Sequence, residues 1–571
     1  MLRRRLIRLG LLSFLGAAAC REAAGPKLPP CTAAGFAVSL PSPGDYLSFD
    51  PTSADSGCVV FAANGPADSA EYLLVPQLAT GVPGRTSSFR LVGDTIKPAT
   101  VAPAFLAPRL ASLTPAERFH TFLRLGDETH WRDLNPEKAP SAAAPARAPA
   151  IAMGPPVFGS SRTFKVCARL NCSVFDNVTA TVRALKSNVA IYVDNTAPAG
   201  GLDSTALDSL AAVFETRLYA TDTAAFGRES DIDTNSVVMV LMTPTVNKLV
   251  NAAACDSTGF VAGFFFGADL DPAFSNDSRS NKGEVFYSIV ADPSGTLSCA
   301  HTTTSVQRLI PVTFIHEFQH MISFNQHVLI RGGDPEVLWL NEGFSHYAEE
   351  LGGRTYESVP SAPVTVCTIG SVPCRFYAGD LSDAYQFLDS TRNHFLLPTA
   401  GIGSLAERGA AWLFVRYLVD RFAAGSTVAQ WNALTRQLVQ TSNTGAQNIA
   451  TVTGQPFETV VTRWALAVWV SDLPAFTAPA ELQYDSWSLR GAFTSLHTQD
   501  STDFRKTFPL VPTVSDGRSV NVSGTLRAGS GVYHRAFQVP SAPGFTLQFG
   551  TSSGGPLSPT NAPRLNVIRI R

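Results

Sequence analysis

Short apolar runs, broken every few positions by Pro, Gly, Asp and Asn, dominate both ends of the chain, while its middle carries longer runs with helical spacing. Runs at 35–40, 58–62 and 72–76 predict strands, and hence a small β-sandwich over 31–105. Thr114-Pro-Ala-Glu117 then predicts a helix start: Thr caps, Pro suits the first turn and Glu reaches back. Ala and Pro dominate 139–156, so 106–160 reads as a helix followed by a linker. Strand-like 189–193, 237–241 and 284–290 alternate with a helical stretch at 207–218, and helices are expected at 410–422 and 457–470. Short strands return over 505–571. The predicted fold class is α+β: a mixed α/β layer and then a helical lobe at 161–475, flanked by small all-β domains.

Length requires more than one core, since 571 residues exceed what a single core usually serves. A net charge of −2 and 16% charged residues argue against a nucleic-acid partner, which would call for a basic face. Arg3, Arg4, Arg5 and Arg8 precede an apolar stretch at 9–15 and a run of small residues, so 1–20 reads as a signal peptide. The run Leu15-Gly-Ala-Ala-Ala-Cys20 also resembles a bacterial lipobox, with Ala17 where Leu is usual. This implies lipidation at Cys20 and a membrane tie only through that anchor, with simple cleavage after Ala19 as the alternative. Export from a bacterial cell is the expectation either way. The eight remaining cysteines suggest disulfides, most simply between neighbours: 31–58, 167–172, 255–299 and 367–374.

Candidate chemistry centres on His316-Glu-Phe-Gln-His320. Residues four apart share a helix face, so both imidazoles can reach one ion, and Glu317 beside them is placed to take a proton from an attacking water. A third ligand is expected from Trp339-Leu-Asn-Glu342-Gly, on a helix that returns after the turn at 332–335. Zn2+ held by His316, His320 and Glu342, with Glu317 as general base, is the central expectation. Glu349, seven residues beyond Glu342, is expected to orient a ligating histidine. His346 is expected in the site wall, and Tyr385 is the choice for oxyanion stabiliser, with His394 and Tyr347 as rivals. Asp231-Ile-Asp-Thr-Asn235 starts like a Ca2+ loop, but Ser236 and Met242 replace the Gly and Glu such a loop needs, so ordinary turns are preferred there and at Asp269-Leu-Asp271.

The two motifs together resemble those of the gluzincin peptidases. Those with Phe318, Met321 to Asn325 and Phe344 to Glu350 are similar to the hyicolysin-type bacterial metallopeptidases, over about 163–472. The resemblance implies a two-lobed zinc peptidase unit acting on proteins or peptides, with an edge strand receiving extended substrate. Endopeptidase activity is expected. The alternatives are an aminopeptidase, for which Glu284 stands about where an amine anchor would be, and an inactive surface-binding lipoprotein. Cleavage in the Ala/Pro linker would make the N-terminal region a removable pro-segment.

Overall fold

The computed structural model describes residues 27–31, 34–53, 57–95, 113–131, 154–399, 401 and 403–571. Strands β1 (Phe36–Val38), β2 (Tyr46–Phe49), β3 (Cys58–Phe61), β4 (Ala70–Leu78) and β5 (Thr86–Gly93) come first, followed by helix α1 (Pro115–Glu128). The middle contributes β6 (Ser161–Cys167), β7 (Phe175–Leu185), β8 (Val189–Asp194), β9 (Val238–Met242), β10 (Gly263–Phe265) and β11 (Val285–Ser288). Its helices are α2 (Ser204–Val213), α3 (Tyr219–Phe226), α4 (Pro244–Asn247) and α5 (Ala252–Thr258). A helical region follows, led by α6 (Thr303–Phe324), α7 (Leu338–Arg354), α8 (Val372–Asp389) and α9 (Leu405–Phe422). The chain closes with β12 (Thr513–Asp516), β13 (Asn521–Arg527), β14 (His534–Gln538), β15 (Phe545–Gly550) and β16 (Pro563–Arg569). The class is α+β, as the hydrophobic pattern predicts.

The two terminal β regions are not separate units. Their strands interleave in two five-stranded sheets, ordered β1-β3-β15-β5-β13 and β12-β14-β4-β16-β2. Neither set can close a sheet alone: β15 lies between β3 and β5, and β4 between β14 and β16. Phe61, Phe89, Leu547, Phe549 and Val567 fill the space between the sheets. Strand β4 explains its own nearly unbroken apolar run, because both faces are covered. Tyr72, Leu74 and Leu78 face the sandwich interior, whereas Leu73, Val75 and Ala79 join the main core. Fully buried Gln77 ties the layers together, donating to the carbonyls of Val461 and Gly529 at 3.3 and 2.8 Å and accepting from Asn566 at 2.9 Å.

The middle sheet runs β10-β11-β9-β8-β7-β6, with β8, β9 and β11 mutually parallel and β10 antiparallel at the edge. The segment expected to be helix and linker does more than connect. The Thr114–Glu117 capping box forms, and α1 packs Phe119 edge-on against Phe264 with ring centres 5.0 Å apart. Glu128 at the end of α1 accepts the N–H of Leu338 at 3.3 Å, supplying the cap that the residue before α7 does not. The helical region also extends past 475, because Trp487 donates to Glu350 at 3.0 Å from beyond that boundary. Glu350 is buried among Arg354, Arg416, Trp412 and Trp487, and this network fixes the back of α7.

All four neighbour disulfides form, at Cys31–Cys58, Cys167–Cys172, Cys255–Cys299 and Cys367–Cys374. They fit an oxidising compartment. No helix among the described residues is long and apolar enough to cross a membrane. The signal-peptide and lipidation expectations, including Cys20, lie outside the described residues.

Candidate metal centre

His316 and His320 lie one turn apart on α6, with ring centres 5.0 Å apart. Glu342 on α7 meets both: its Oε2 is 3.8 Å from His316 Nε2, and its Oε1 is 3.3 Å from His320 Nε2. One ligand atom from each of the three lies within 4.8 Å of the others. Glu342 Oε1, 3.3 Å from His320 Nε2, is buried without a well-aligned hydrogen-bond partner, so the three groups face a shared point. The far ring nitrogens are held. His316 Nδ1 donates to Glu349 Oε1 at 2.7 Å, and His320 Nδ1 to Asn341 Oδ1 at 3.2 Å. Both Nε2 atoms are thereby left as lone-pair donors, the tautomer a metal requires.

The electrostatics of the two histidines differ: burial lowers His316, but its hydrogen bond to the Glu349 carboxylate outweighs burial and raises it. Burial, reinforced by Arg124, pushes His320 down to about 3 and keeps it neutral. Burial works against the Glu342 carboxylate, yet His320, Arg408 and His316 together hold it well below the usual range. Glu317, 1% exposed, is pushed up by burial, with His316 and Arg124 opposing. Its Oε2 accepts the N–H of Phe265 on β10 at 2.8 Å, while its Oε1 sits 3.7 Å from His120 Nδ1 on α1. Arg124 of α1 donates to the Phe265 carbonyl at 2.8 Å, so α1 occupies that end of the sheet edge.

A cavity of about 770 Å³ opens beside these groups, walled by His120, His316, Glu317, His346, Glu349 and Arg408. His346 donates from Nδ1 to Asp380 Oδ1 at 2.8 Å, and its Nε2 has no hydrogen-bond partner. Arg408 Nε lies 4.0 Å from Glu342 Oε2, and its Nε and Nη2 are buried without a hydrogen-bond partner.

Tyr385 is not at the site. Its hydroxyl accepts the N–H of Lys506 at 2.7 Å, and its ring packs on Phe493 and Phe504. The reason is helical phase: five residues past Asp380, it points roughly 140° away around α8. The rivals are elsewhere too, His394 against Glu407 at 3.5 Å and Tyr347 receiving Arg416 at 3.3 Å. His120, Arg408 and Asp380 carry no signal in the sequence, since each reaches the site from a distant element. Asn341 had one, standing next to Glu342 in the motif.

A His–His–Glu donor set with a buried carboxylate beside it defines a candidate metal centre. Compared with protein-family models and with curated proteins, the chain matches none, so the chemistry of the site rests on its own geometry.

Proposed function

We propose that this protein is a zinc-dependent endopeptidase in which His316, His320 and Glu342 hold the metal and Glu317 is the general base. The observation that carries the reading is the convergence of two imidazole Nε2 atoms and a buried carboxylate oxygen, with both Nδ1 atoms anchored. Two neutral imidazoles and one carboxylate suit zinc, and a catalytic site with three protein ligands keeps a position open. When bound, zinc supplies polarisation of the scissile carbonyl and acidification of the attacking water. Glu317 accepts the water's proton and delivers it to the leaving amine, and the Phe265 N–H fixes its orientation. Arg408 takes the role first assigned to Tyr385, its guanidinium N–H groups donating to the charge that develops on the carbonyl oxygen.

The motifs' likeness to hyicolysin-type gluzincins supports the same reading, as does a mixed α/β sheet followed by helices for the two lobes. Extended peptide would lie along β10, where Gly263 borders the cavity. Four disulfides support action outside the cytoplasm, with attachment through a lipid on Cys20 part of the proposal. Aminopeptidase activity is disfavoured because Glu284 is not among the residues that wall the cavity and sits instead against Ser230 and Ile232.

The test is zinc content and casein hydrolysis before chelation, after it, and after zinc is restored. One zinc per chain, with activity lost and regained, is expected; hydrolysis persisting in the metal-free protein would overturn the proposal. Peptides with blocked N-termini should be cut, and cleavage confined to free amines would replace the endopeptidase reading with the aminopeptidase one.

A further inference from the structure

We propose that Asp231 and Asp233, in the loop before β9, together with Glu284 at the start of β11, form an all-oxygen site for Ca2+, separate from the zinc centre. One oxygen from each carboxylate lies within 4.8 Å of the other two. Asp231 is exposed at the mouth, whereas Asp233 and Glu284 are 0% and 1% exposed. Glu284 uses Oε1 for Ser230 and Ile232, but its Oε2 is buried with no hydrogen-bond partner. A buried carboxylate oxygen left unpaired is costly unless a cation meets it.

Charge points the same way. Three carboxylates face one guanidinium, that of Arg162, 3.6 Å from Asp233 Oδ2. With all three carboxylates ionised the local excess is two negative charges, which one divalent ion balances. Burial pushes the Glu284 carboxyl up to about 7 and that of Asp233 up to about 6, with Arg162 opposing the shift at Asp233. Purely oxygen donors select a hard cation rather than zinc. The loop departs from the linear calcium pattern at Ser236 and Met242, and the fold supplies the missing acidic ligand from β11 instead.

The ion would act as a staple. Met239 of β9 already donates to the Glu284 carbonyl at 2.8 Å, and β11 carries β10, whose Phe265 N–H orients Glu317. Because none of these ligands belongs to the zinc set, the site stands or falls independently of the proposed activity.

The test uses the full chain, freed of calcium and with its zinc content measured, in calorimetric titration and thermal unfolding with CaCl2. One Ca2+ should bind and raise the unfolding midpoint by several degrees, with MgCl2 giving a smaller rise. Asp231→Asn, at an exposed position, should weaken Ca2+ binding about tenfold or more, since ligand charge sets affinity, and Glu284→Gln should abolish it. Zinc content should not change in either variant. No calcium-dependent heat or shift in the parent chain, or an equal shift in Asp231→Asn, would overturn the proposal.

Discussion

The sandwich and the metal centre are built from opposite extremes of sequence separation. In the sandwich, Ser48 donates to Asn566 across 518 positions, and Leu547 pairs with Val59. At the centre, His320 meets Asn341 across 21 positions and His316 meets Glu349 across 33. A helix hairpin can gather its donors early and locally, whereas the sandwich closes only when both ends of the chain are present. The difference bears on processing. The N-terminal strands cannot leave as a pro-segment without unpairing β13 to β16, and α1 helps to wall the cavity beside the candidate metal centre. A cut between α1 and β6 would therefore nick the molecule without uncovering the site.

Three substitutions separate the two regions, in falling order of effect. Glu317→Gln keeps the shape of the site but removes its base, so kcat should fall by about 10³-fold or more, with zinc content and unfolding midpoint near those of the parent. Retained turnover in a peptide assay would remove Glu317 from the mechanism. Leu547→Ala, at a fully buried position in β15, should cost about 2–5 kcal/mol of stability in a denaturant titration. The remaining folded enzyme should keep its kcat and KM, and a change in either would make the sandwich part of the site rather than its support. Glu349→Gln weakens the acceptor behind His316 Nδ1, so zinc affinity should drop by about 10–100-fold in a competition titration. Unchanged affinity would reduce Glu349 to a packing residue.

How much was readable follows the same division. Spacing along a helix is a local quantity, so His316, Glu317 and His320 share their stretch of α6 as the pattern predicts, and helix Phe457–Val470 begins and ends where its apolar run does. The Thr114–Glu117 box and the four neighbour disulfides are local as well. Strand partners are not local. The run in β4 announces a strand covered on both faces but says nothing of β14 and β16 beside it. His120, Arg408 and Asp380 reach the cavity through tertiary packing alone. Where Tyr385 points is decided by its phase on α8, which a position along the chain does not reveal.

Acid sensitivity gives the smallest and most discriminating comparison. His534 on β14 is 4% exposed, its ring bonded to Thr513 Oγ1 at 2.7 Å and Ser515 Oγ at 2.9 Å, and burial pushes it down to about 4. The folded state therefore stays neutral where the unfolded chain, near 6.5, takes up a proton. Stability from this group is full above pH 6.5 and drains as pH falls toward 4, because the unfolded state then binds more protons. The whole shift corresponds to about 3 kcal/mol, of which about 2 kcal/mol is lost by pH 5. His534→Gln cannot titrate, so the drop in unfolding midpoint between pH 7.5 and pH 5 should shrink by about 2 °C. Parallel curves for parent and variant would move the acid-sensitive element out of the sandwich. It would then fall to His327 after α6, which burial also pushes down to about 4, and the local helical region rather than the long-range sandwich would be the first part of the molecule to yield.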